Sequence, residues 1–430
     1  MTTRKQAPKK TGSVLPNAHV GNPTTAPSFI GTLAPGVHIV GGMGNALSVE
    51  TDRGVFQLDT GVSPRQAGKM IERLREITDA PVFAIAYSHG HLGYNNAVTT
   101  WIEDAERRGD PPPRVIAHEN LVRRWRRYRE TEGLQNFFVE LQFRQPRGSV
   151  GGPLFLEMPS ETFGDAMTLT TGDRTVELLW APSETDDAIV CWLPEQKILY
   201  GGAAVTPSIP NVGTPLRSLR DPVRWADTLD RLAALDPELL VMEFGPAING
   251  RERIQEILTK TSAALRWLRA SVVERINAGM GVVEILHALD YPPELFEQPW
   301  MRPLYGDRDY IVRDIFRAET GWWDRNPTNL HPAHPDEAGA AVLSAIADRE
   351  AVLDRARALA DEGKLQLALH VIDVLALAPG DEPDVVAARA LKADLCRTLA
   401  EDARSFVSQS LYVSSAGIIE EGTPLPTGVR

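Results

Sequence analysis

Short apolar runs separated by turn residues dominate the chain from about residue 29 to 258. Residues 55–58 and 82–86 are compact runs of apolar side chains bounded by glycine, proline or polar residues, which is typical of buried strands. Between them, Met70, Ile71 and Leu74 follow the spacing of an amphipathic helix. This alternation predicts a mixed α/β (α+β) fold with two sheets and helices outside them.

The pattern changes beyond about residue 251. Residues 254–287 have helical spacing with almost no strand signal, and residues 336–400 form an Ala- and Leu-rich series of amphipathic helices. A chain of 430 residues is also too long for one ordinary core. We therefore expect a flexible N-terminal arm over 1–27, a first domain over 28–258, an all-α second domain over 259–410 and a weakly patterned tail over 411–430.

Composition excludes several classes of protein. The formal net charge is −12, which leaves no broad positive surface for nucleic acid. No run approaches the roughly 18 apolar residues of a membrane span. The two cysteines, Cys191 and Cys396, are far apart and form no disulfide framework. We expect a cytoplasmic protein with neither a nucleic-acid partner nor a membrane span.

Polar residues collect in the loops that follow the predicted strands, where sites are usually built. His89 and His91 lie two residues apart directly after the strand over 82–86, so both imidazoles can face one metal ion. His118 ends the next predicted strand and is a candidate acid or base.

The order of these loops resembles that of the metallo-β-lactamase superfamily. An Asp-Thr-Gly turn, the His-x-His loop, a Pro-x-x-Thr-x-Asp turn, a Gly-Gly turn and a final Gly-Pro turn occur in the family's order. They stand at residues 59–61, 89–91, 182–187, 201–202 and 245–246. The resemblance covers about residues 35 to 258 and implies an αββα sandwich.

Further motifs resemble the alkylsulfatase-type branch of this superfamily. They include His118-Glu119-Asn120 and the segment Gly-Trp-Trp-Asp-Arg-Asn-Pro-Thr-Asn-Leu-His-Pro over 321–332. In that branch the helical second domain is a dimerisation module. The resemblance therefore implies a homodimer formed through the helical domain.

The chain departs from the family at the second metal. The motif His-x-His-x-Asp-His ends here in Gly93 and Tyr94, while Ala203 and Phe244 replace the other two ligands. Glycine, alanine and phenylalanine offer no donor atom, and tyrosine rarely coordinates.

The ligands of the first metal survive. By resemblance they are His89, His91 and Glu184, and Asp59 supports the metal loop. Two imidazoles and one carboxylate suit zinc or non-haem iron(II). We predict one divalent metal ion per chain, Zn or Fe.

The remaining candidates are assigned to catalysis and substrate binding. Tyr94, His118 and Asp187 are the expected catalytic residues, and Asn211, Arg217 and Phe244 are expected to bind a small-molecule substrate. Glu243 is expected to face solvent.

Three functions stay open. The first is a mononuclear metal-dependent hydrolase that acts on a small organic substrate such as a sulfate ester. The second is a non-haem iron oxygenase that uses the same two histidines and one carboxylate. The third is a catalytically inactive dimeric binding protein.

Overall fold

Two sheets form the centre of the first domain. The computed structural model describes residues 29–151 and 157–422, so the predicted arm over 1–27 lies outside the described residues. The first sheet has seven strands in chain order: β1 (Gly31–Ala34), β2 (Val37–Gly41), β3 (Ala46–Thr51), β4 (Gly54–Leu58), β5 (Val82–Ala86), β6 (Arg114–His118) and β7 (Glu161–Phe163). Strands β1 to β4 are antiparallel, and β4 to β7 are parallel.

The second sheet has six strands in the order β13-β12-β11-β10-β9-β8. They are β8 (Ala166–Thr170), β9 (Thr175–Trp180), β10 (Ile189–Leu193), β11 (Ile198–Gly202), β12 (Leu239–Met242) and β13 (Ile248–Asn249). Only β11 and β12 pair in parallel. One face of this sheet packs on the first sheet through a core that includes Phe56, Leu58, Cys191 and Tyr200.

Helices cover both outer faces. The first sheet carries α1 (Pro64–Ile77), α2 (Val98–Arg108) and α3 (Glu119–Glu130), which α4 (Glu132–Phe143) follows. The second sheet carries α5 (Pro222–Ala234) and α6 (Arg251–Asn277). The Ser63 side chain accepts a hydrogen bond from the Gln66 amide, and Pro64 is the first residue of α1; both features favour a helix start there. The predicted αββα sandwich is confirmed.

The rest of the chain is helical, as predicted. It contains α7 (Val282–Ala288), α8 (Pro293–Phe296), α9 (Arg308–Thr320), α10 (Pro335–Ser344), α11 (Arg349–Asp361), α12 (Leu365–Ala376), α13 (Pro383–Asp402) and α14 (Phe406–Glu420). Helices α7 to α9 share a core with α5 and α6, whereas α10 to α14 enclose a separate core around Ile372 and Ala388.

Two expectations about the second half are wrong. The predicted tail over 411–430 begins inside α14, which the Ser405 side chain caps. This helix docks on the first domain, where Ser414 Oγ donates to the Leu141 carbonyl at 2.9 Å. The predicted boundary at residues 258 and 259 also falls inside the continuous helix α6. Within residues 29–151 and 157–422, no helix is both long and apolar enough to cross a membrane.

Candidate metal centre

The ends of neighbouring strands bring the polar residues together. Asp59 follows β4 and His89 follows β5, and these two strands are parallel, so their carboxyl ends meet at one edge of the sheet. Glu184 lies on the loop between β9 and β10, and Glu243 follows β12. The Ile189 amide donates to the Ser88 carbonyl at 2.8 Å, which joins the histidine loop to the second sheet.

His89, His91 and Glu184 form a set of three donors. His89 Nε2 lies 3.1 Å from His91 Nδ1, and His91 Nδ1 lies 3.7 Å from Glu184 Oε2. One donor atom of each residue lies within 4.8 Å of the other two. Ligands at about 2.0–2.1 Å from a tetrahedral zinc lie roughly 3.3 Å apart. The geometry and chemistry of this set therefore fit a divalent ion.

Burial keeps both imidazoles in the neutral form that binds metals. It lowers the pKa of His89, and it lowers the pKa of His91 well below the ordinary value, with the neighbouring His89 acting in the same direction. The Ser88 hydroxyl lies 3.0 Å from His89 Nδ1 and orients that ring. Both nitrogens that face the centre are thus available as ligands.

Asp59 makes hydrogen bonds to both ends of the loop that carries His89 and His91. Its Oδ1 accepts hydrogen bonds from the Ser88 amide at 2.9 Å and from Asn95 Nδ2 at 2.7 Å. Asp59 has a positive φ of 63°, a backbone conformation that Asp tolerates better than most residues. The predicted supporting role of Asp59 agrees with these contacts, because they fix the backbone on both sides of His89 and His91.

Apolar and aromatic side chains fill the region next to His89. The Tyr94 ring lies 4.3 Å from the His89 ring, and the Tyr94 hydroxyl donates to Glu243 Oε1. A side chain at Gly93 would collide with Met43 Sδ, and Gly93 itself has a φ of +105°. Packing against Met43 therefore leaves no room for a side chain at Gly93, one of the positions at which the family would place a second-metal ligand.

The expectation that Glu243 faces solvent is wrong. Its carboxyl is buried, and Oε1 lies 4.0 Å from His89 Nε2. Burial and the nearby Glu184 charge raise its pKa well above the ordinary range. Burial also raises the pKa of Tyr94 well above its usual value, and Glu243 acts in the same direction. Tyr94 therefore keeps its proton near neutral pH, and the burial of Glu243 favours the protonated form of that carboxyl.

A cavity of about 1040 Å³, which includes its open mouth, leads to the centre. Its wall is largely apolar and includes Met43, Val139 and Phe244. The predicted contact residue Phe244 thus faces this space.

Polar side chains converge at one end of the cavity. Asn211 Nδ2 donates to Glu184 Oε1 at 3.2 Å, and Arg220 Nη1 donates to the same oxygen at 3.2 Å. Arg217 Nη2 donates to Gln142 Oε1 at 3.0 Å. Asn211 Oδ1 is buried without a hydrogen-bond partner among the described residues. The predicted pair Asn211 and Arg217 therefore lines the cavity, with Asn211 in direct contact with the candidate ligand Glu184.

The sequence profile of the metallo-β-lactamase superfamily matches residues 39–243, and the profile called alkyl sulfatase dimerisation matches residues 282–422. The first match covers most of both sheets and contains His89, His91 and Glu184, the three donors of the site. The chain belongs to the metallo-β-lactamase superfamily and carries an alkyl sulfatase dimerisation domain.

Curated relatives of this metallo-β-lactamase protein are alkylsulfatases. The chain is 31% identical over 325 residues to a linear primary-alkylsulfatase from Pseudomonas sp., with 71% of this chain and 61% of the relative covered. It is 24% identical over 412 residues to an (R)-specific secondary-alkylsulfatase from Pseudomonas sp., with 88% and 60% covered. The chain thus spans about three fifths of the length of these relatives.

A solved structure shares the fold. The stereoselective inverting sec-alkylsulfatase Pisa1 from Pseudomonas sp. superposes with a TM-score of 0.78 at 22% identity, over 91% of this chain and 66% of that chain. At this identity the likeness concerns the fold of the metallo-β-lactamase and helical domains alone.

Two predicted catalytic residues of the metallo-β-lactamase domain, His118 and Asp187, do not line the cavity that leads to the metal centre. His118 stacks on Trp180 with ring centroids 5.2 Å apart, and its Nδ1 accepts from the Asn120 amide at the start of α3. Asp187 is fully buried, and its Oδ1 accepts from Arg124 Nε at 2.5 Å. His118 is therefore a helix cap, and Asp187 positions Arg124 and the glycine between the two histidines.

Sequence reasoning missed Met43 altogether. It is an apolar residue in the glycine-rich turn Gly41-Gly42-Met43-Gly44, and it lies against Gly93 and lines the cavity of the metallo-β-lactamase domain. The glycines on both sides of Met43 were the available signal, because glycine allows two segments of backbone to approach each other closely.

Proposed function

We propose that this protein is a mononuclear metal-dependent hydrolase of organic sulfate esters. The observation that carries the proposal is the position of the donor set. His89, His91 and Glu184 lie where an apolar cavity ends against Asn211 and Arg217. An apolar space next to guanidinium and amide groups suits a substrate with an organic body and an anionic head.

The metal, when bound, supplies Lewis acidity and lowers the pKa of water at the site. His89, His91 and Glu184 would hold it. The Asp59 and Ser88 contacts keep the histidine loop in place, and such outer contacts strengthen a metal site. Because Gly93, Ala203 and Phe244 offer no donor atom where the family places second-metal ligands, and tyrosine at position 94 rarely coordinates, we assign one metal ion to each chain.

The chain's own polar groups bind and orient the substrate. Arg217 has no carboxylate partner in the parts of the chain that the structure describes, so its guanidinium is available to a sulfate oxygen. Arg220 holds Glu184 through an ion pair of 3.2 Å and thereby orients the carboxylate ligand. In this assignment Asn211 and Arg217 take over the anion-holding role that a second metal has in two-metal sulfatases.

Hydrolysis adds one water molecule across the ester. The water oxygen becomes part of one product, the ester bond breaks, and the released alcohol oxygen takes up a proton. The Tyr94 hydroxyl lines the cavity beside His89, so we assign it the proton that reaches this oxygen. Glu243, hydrogen-bonded to Tyr94, returns a proton to Tyr94 and takes up the proton that the water loses, so that the protons balance.

The test compares metal content and alkyl sulfate hydrolysis in the wild type with those in His89→Ala and Glu184→Ala. We expect about one zinc per chain in the wild type, and at least a tenfold loss of metal affinity and activity in both variants. His118→Asn is the matched control, because His118 lies away from the cavities and Asn also caps helices. Two tightly bound ions, or no metal after any loading, would contradict the assignment.

Metal content and turnover together also distinguish the proposed hydrolase from the alternative of a non-haem iron oxygenase. About one iron per chain, with turnover of the substrate only in the presence of oxygen, would replace hydrolysis by oxygenase chemistry at the same three ligands. Zinc with oxygen-independent release of sulfate supports the hydrolase.

We also propose a homodimer formed through the helical domain. The alkyl sulfatase dimerisation profile covers residues 282–422, and Trp322 within it is 69% exposed. A large exposed aromatic side chain is typical of an interface. Size-exclusion chromatography with light scattering should give twice the chain mass of 47.2 kDa. A stable monomer at micromolar concentration would contradict the dimer.

A further inference from the structure

A second cavity, of about 1150 Å³, meets the first at the metal centre. The two cavities share five lining residues: His91, Tyr128, Glu184, Arg217 and Arg220. The candidate metal ligands His91 and Glu184 therefore face both spaces. A molecule released at the metal centre can therefore leave through either cavity, and the residues that line the two cavities differ in chemistry.

The wall of the second cavity is dominated by guanidinium groups. It contains six arginines: Arg123, Arg124, Arg127, Arg217, Arg220 and Arg224. Only three carboxylates face the same space: Glu184, Asp186 and Asp221. This excess of positive charge stands out in a chain whose net charge is −12. A concave site lined by one sign of charge concentrates ions of the opposite sign.

Three of these arginines are paired with carboxylates. The pairs are Arg123 with Asp186, Arg124 with Asp186 and Asp187, and Arg220 with Glu184. For Arg127 and Arg224, by contrast, no carboxylate lies within salt-bridge distance among the residues that the structure describes.

An aromatic ring lies beside Arg127 and beside Arg224; with Arg217 they are the three arginines of this cavity for which no carboxylate partner lies among the described residues. The Arg224 guanidinium lies 4.8 Å from the centre of the Trp180 ring, and that of Arg127 lies 5.6 Å from the Tyr128 ring. Both side chains are exposed at the cavity. A guanidinium stacked on a ring keeps its N–H groups free at the edge, where they match the oxygens of a tetrahedral anion.

We propose that this arginine-lined cavity is a binding site for an inorganic tetrahedral oxyanion, through which sulfate leaves the metal centre. The route rests on the proposed function, whereas the anion site itself does not. Free sulfate carries two negative charges and an alkyl sulfate one, so the cavity attracts the product more strongly than the substrate. The organic product leaves through the apolar cavity.

The binding test uses the metal-free, full-length protein, so that no turnover is involved. Sodium sulfate is titrated calorimetrically at constant ionic strength into the wild type and into Arg127→Gln/Arg224→Gln. We expect sulfate to bind the wild type, and the double variant to bind it at least tenfold more weakly. Arg126→Gln is the matched control, because Arg126 is exposed on the same helix and lines neither cavity. Equal affinities in the wild type and the double variant, or no binding to the wild type, would overturn the site.

A second readout tests the route in the metal-loaded enzyme. The double variant should raise the inhibition constant of sulfate at least tenfold while the KM for alkyl sulfate changes less than threefold. A parallel rise of both constants would overturn the route, because substrate and product would then share these arginines. Sulfate binding that depends on these arginines, without hydrolysis of alkyl sulfate, would refute the proposed function and support the anion site. Hydrolysis of alkyl sulfate without such binding would support the proposed function and refute the anion site.

Discussion

The hydroxyl of Tyr94 donates to the carboxyl of Glu243, which comes from the opposite sheet, and the pair lies beside the His89 ring. Tyr94→Phe leaves the buried Glu243 carboxyl without this partner. We expect the free energy of unfolding to fall by about 1–3 kcal/mol. Urea denaturation of the metal-free protein measures the change. The double variant Tyr94→Phe/Glu243→Leu should lose less than the sum of the single variants, and strict additivity would show that the two groups do not interact.

The second metal should not return when its acidic ligand is restored alone. Gly93→Asp puts a side chain against Met43 Sδ at a residue whose φ of +105° favours glycine. We expect the metal content to stay at one ion per chain and the protein to lose stability. Metal analysis together with thermal unfolding checks both points. Met43→Ala/Gly93→Asp is the comparison that relieves the collision, and a second ion bound by Gly93→Asp alone would contradict the packing argument.

Arg220 and Glu184 depend on each other for stability. Both side chains are largely buried and lie 3.2 Å apart. Glu184→Gln leaves the guanidinium without its opposite charge, so the metal-free protein should lose about 3–5 kcal/mol of unfolding free energy. Replacing both residues, as in Glu184→Met/Arg220→Met, should restore part of that loss. A Glu184→Gln variant as stable as the wild type would show that the pair contributes only to the metal site.

His118 should make folding sensitive to acid. Burial lowers its pKa below 6.5, so the unfolded chain takes up a proton at a higher pH than the folded chain. The stability that neutral His118 contributes is full above about pH 6.5 and is lost as the pH falls toward the folded pKa. His118→Asn keeps a helix cap without this titration, and its stability should decline less between pH 7 and pH 5. Parallel pH profiles under the same metal conditions would contradict this reading.

Much of the fold could be predicted because the spacing of apolar residues along the chain shows which side chains are buried. All five residues of strand β5 are apolar, which is typical of a buried parallel strand, and His89 and His91 lie in the loop after it. Helix α14 was missed because Ser408, Ser410 and Ser414 interrupt its apolar face. Their hydroxyl groups make contacts with other elements that no local pattern reveals, such as that of Ser414 with Leu141.

The sequence places the candidate ligands close together because residue type and loop position are visible in it. The structure brings His89, His91 and Glu184 within reach of one another, as their loops indicate. The surroundings of His118 and Asp187 could not be predicted, because the direction of a side chain depends on tertiary neighbours. Trp180 and Asn120 hold His118, and Arg124 holds Asp187. Glu243 turns inward because Tyr94, distant in sequence, offers it a hydrogen bond in the interior.

The continuity of α6 makes the two halves of this protein inseparable. Residues on both sides of position 258, among them Leu240, Leu258 and Ile311, belong to one core. A fragment that ends at the sequence-based boundary would lose most of a 27-residue helix and expose the apolar face of the second sheet. We therefore do not expect the half that carries the candidate metal site to fold as an isolated fragment. Variants for solubility, crystallisation or immobilisation should keep residues 251–320 intact and place fusions elsewhere.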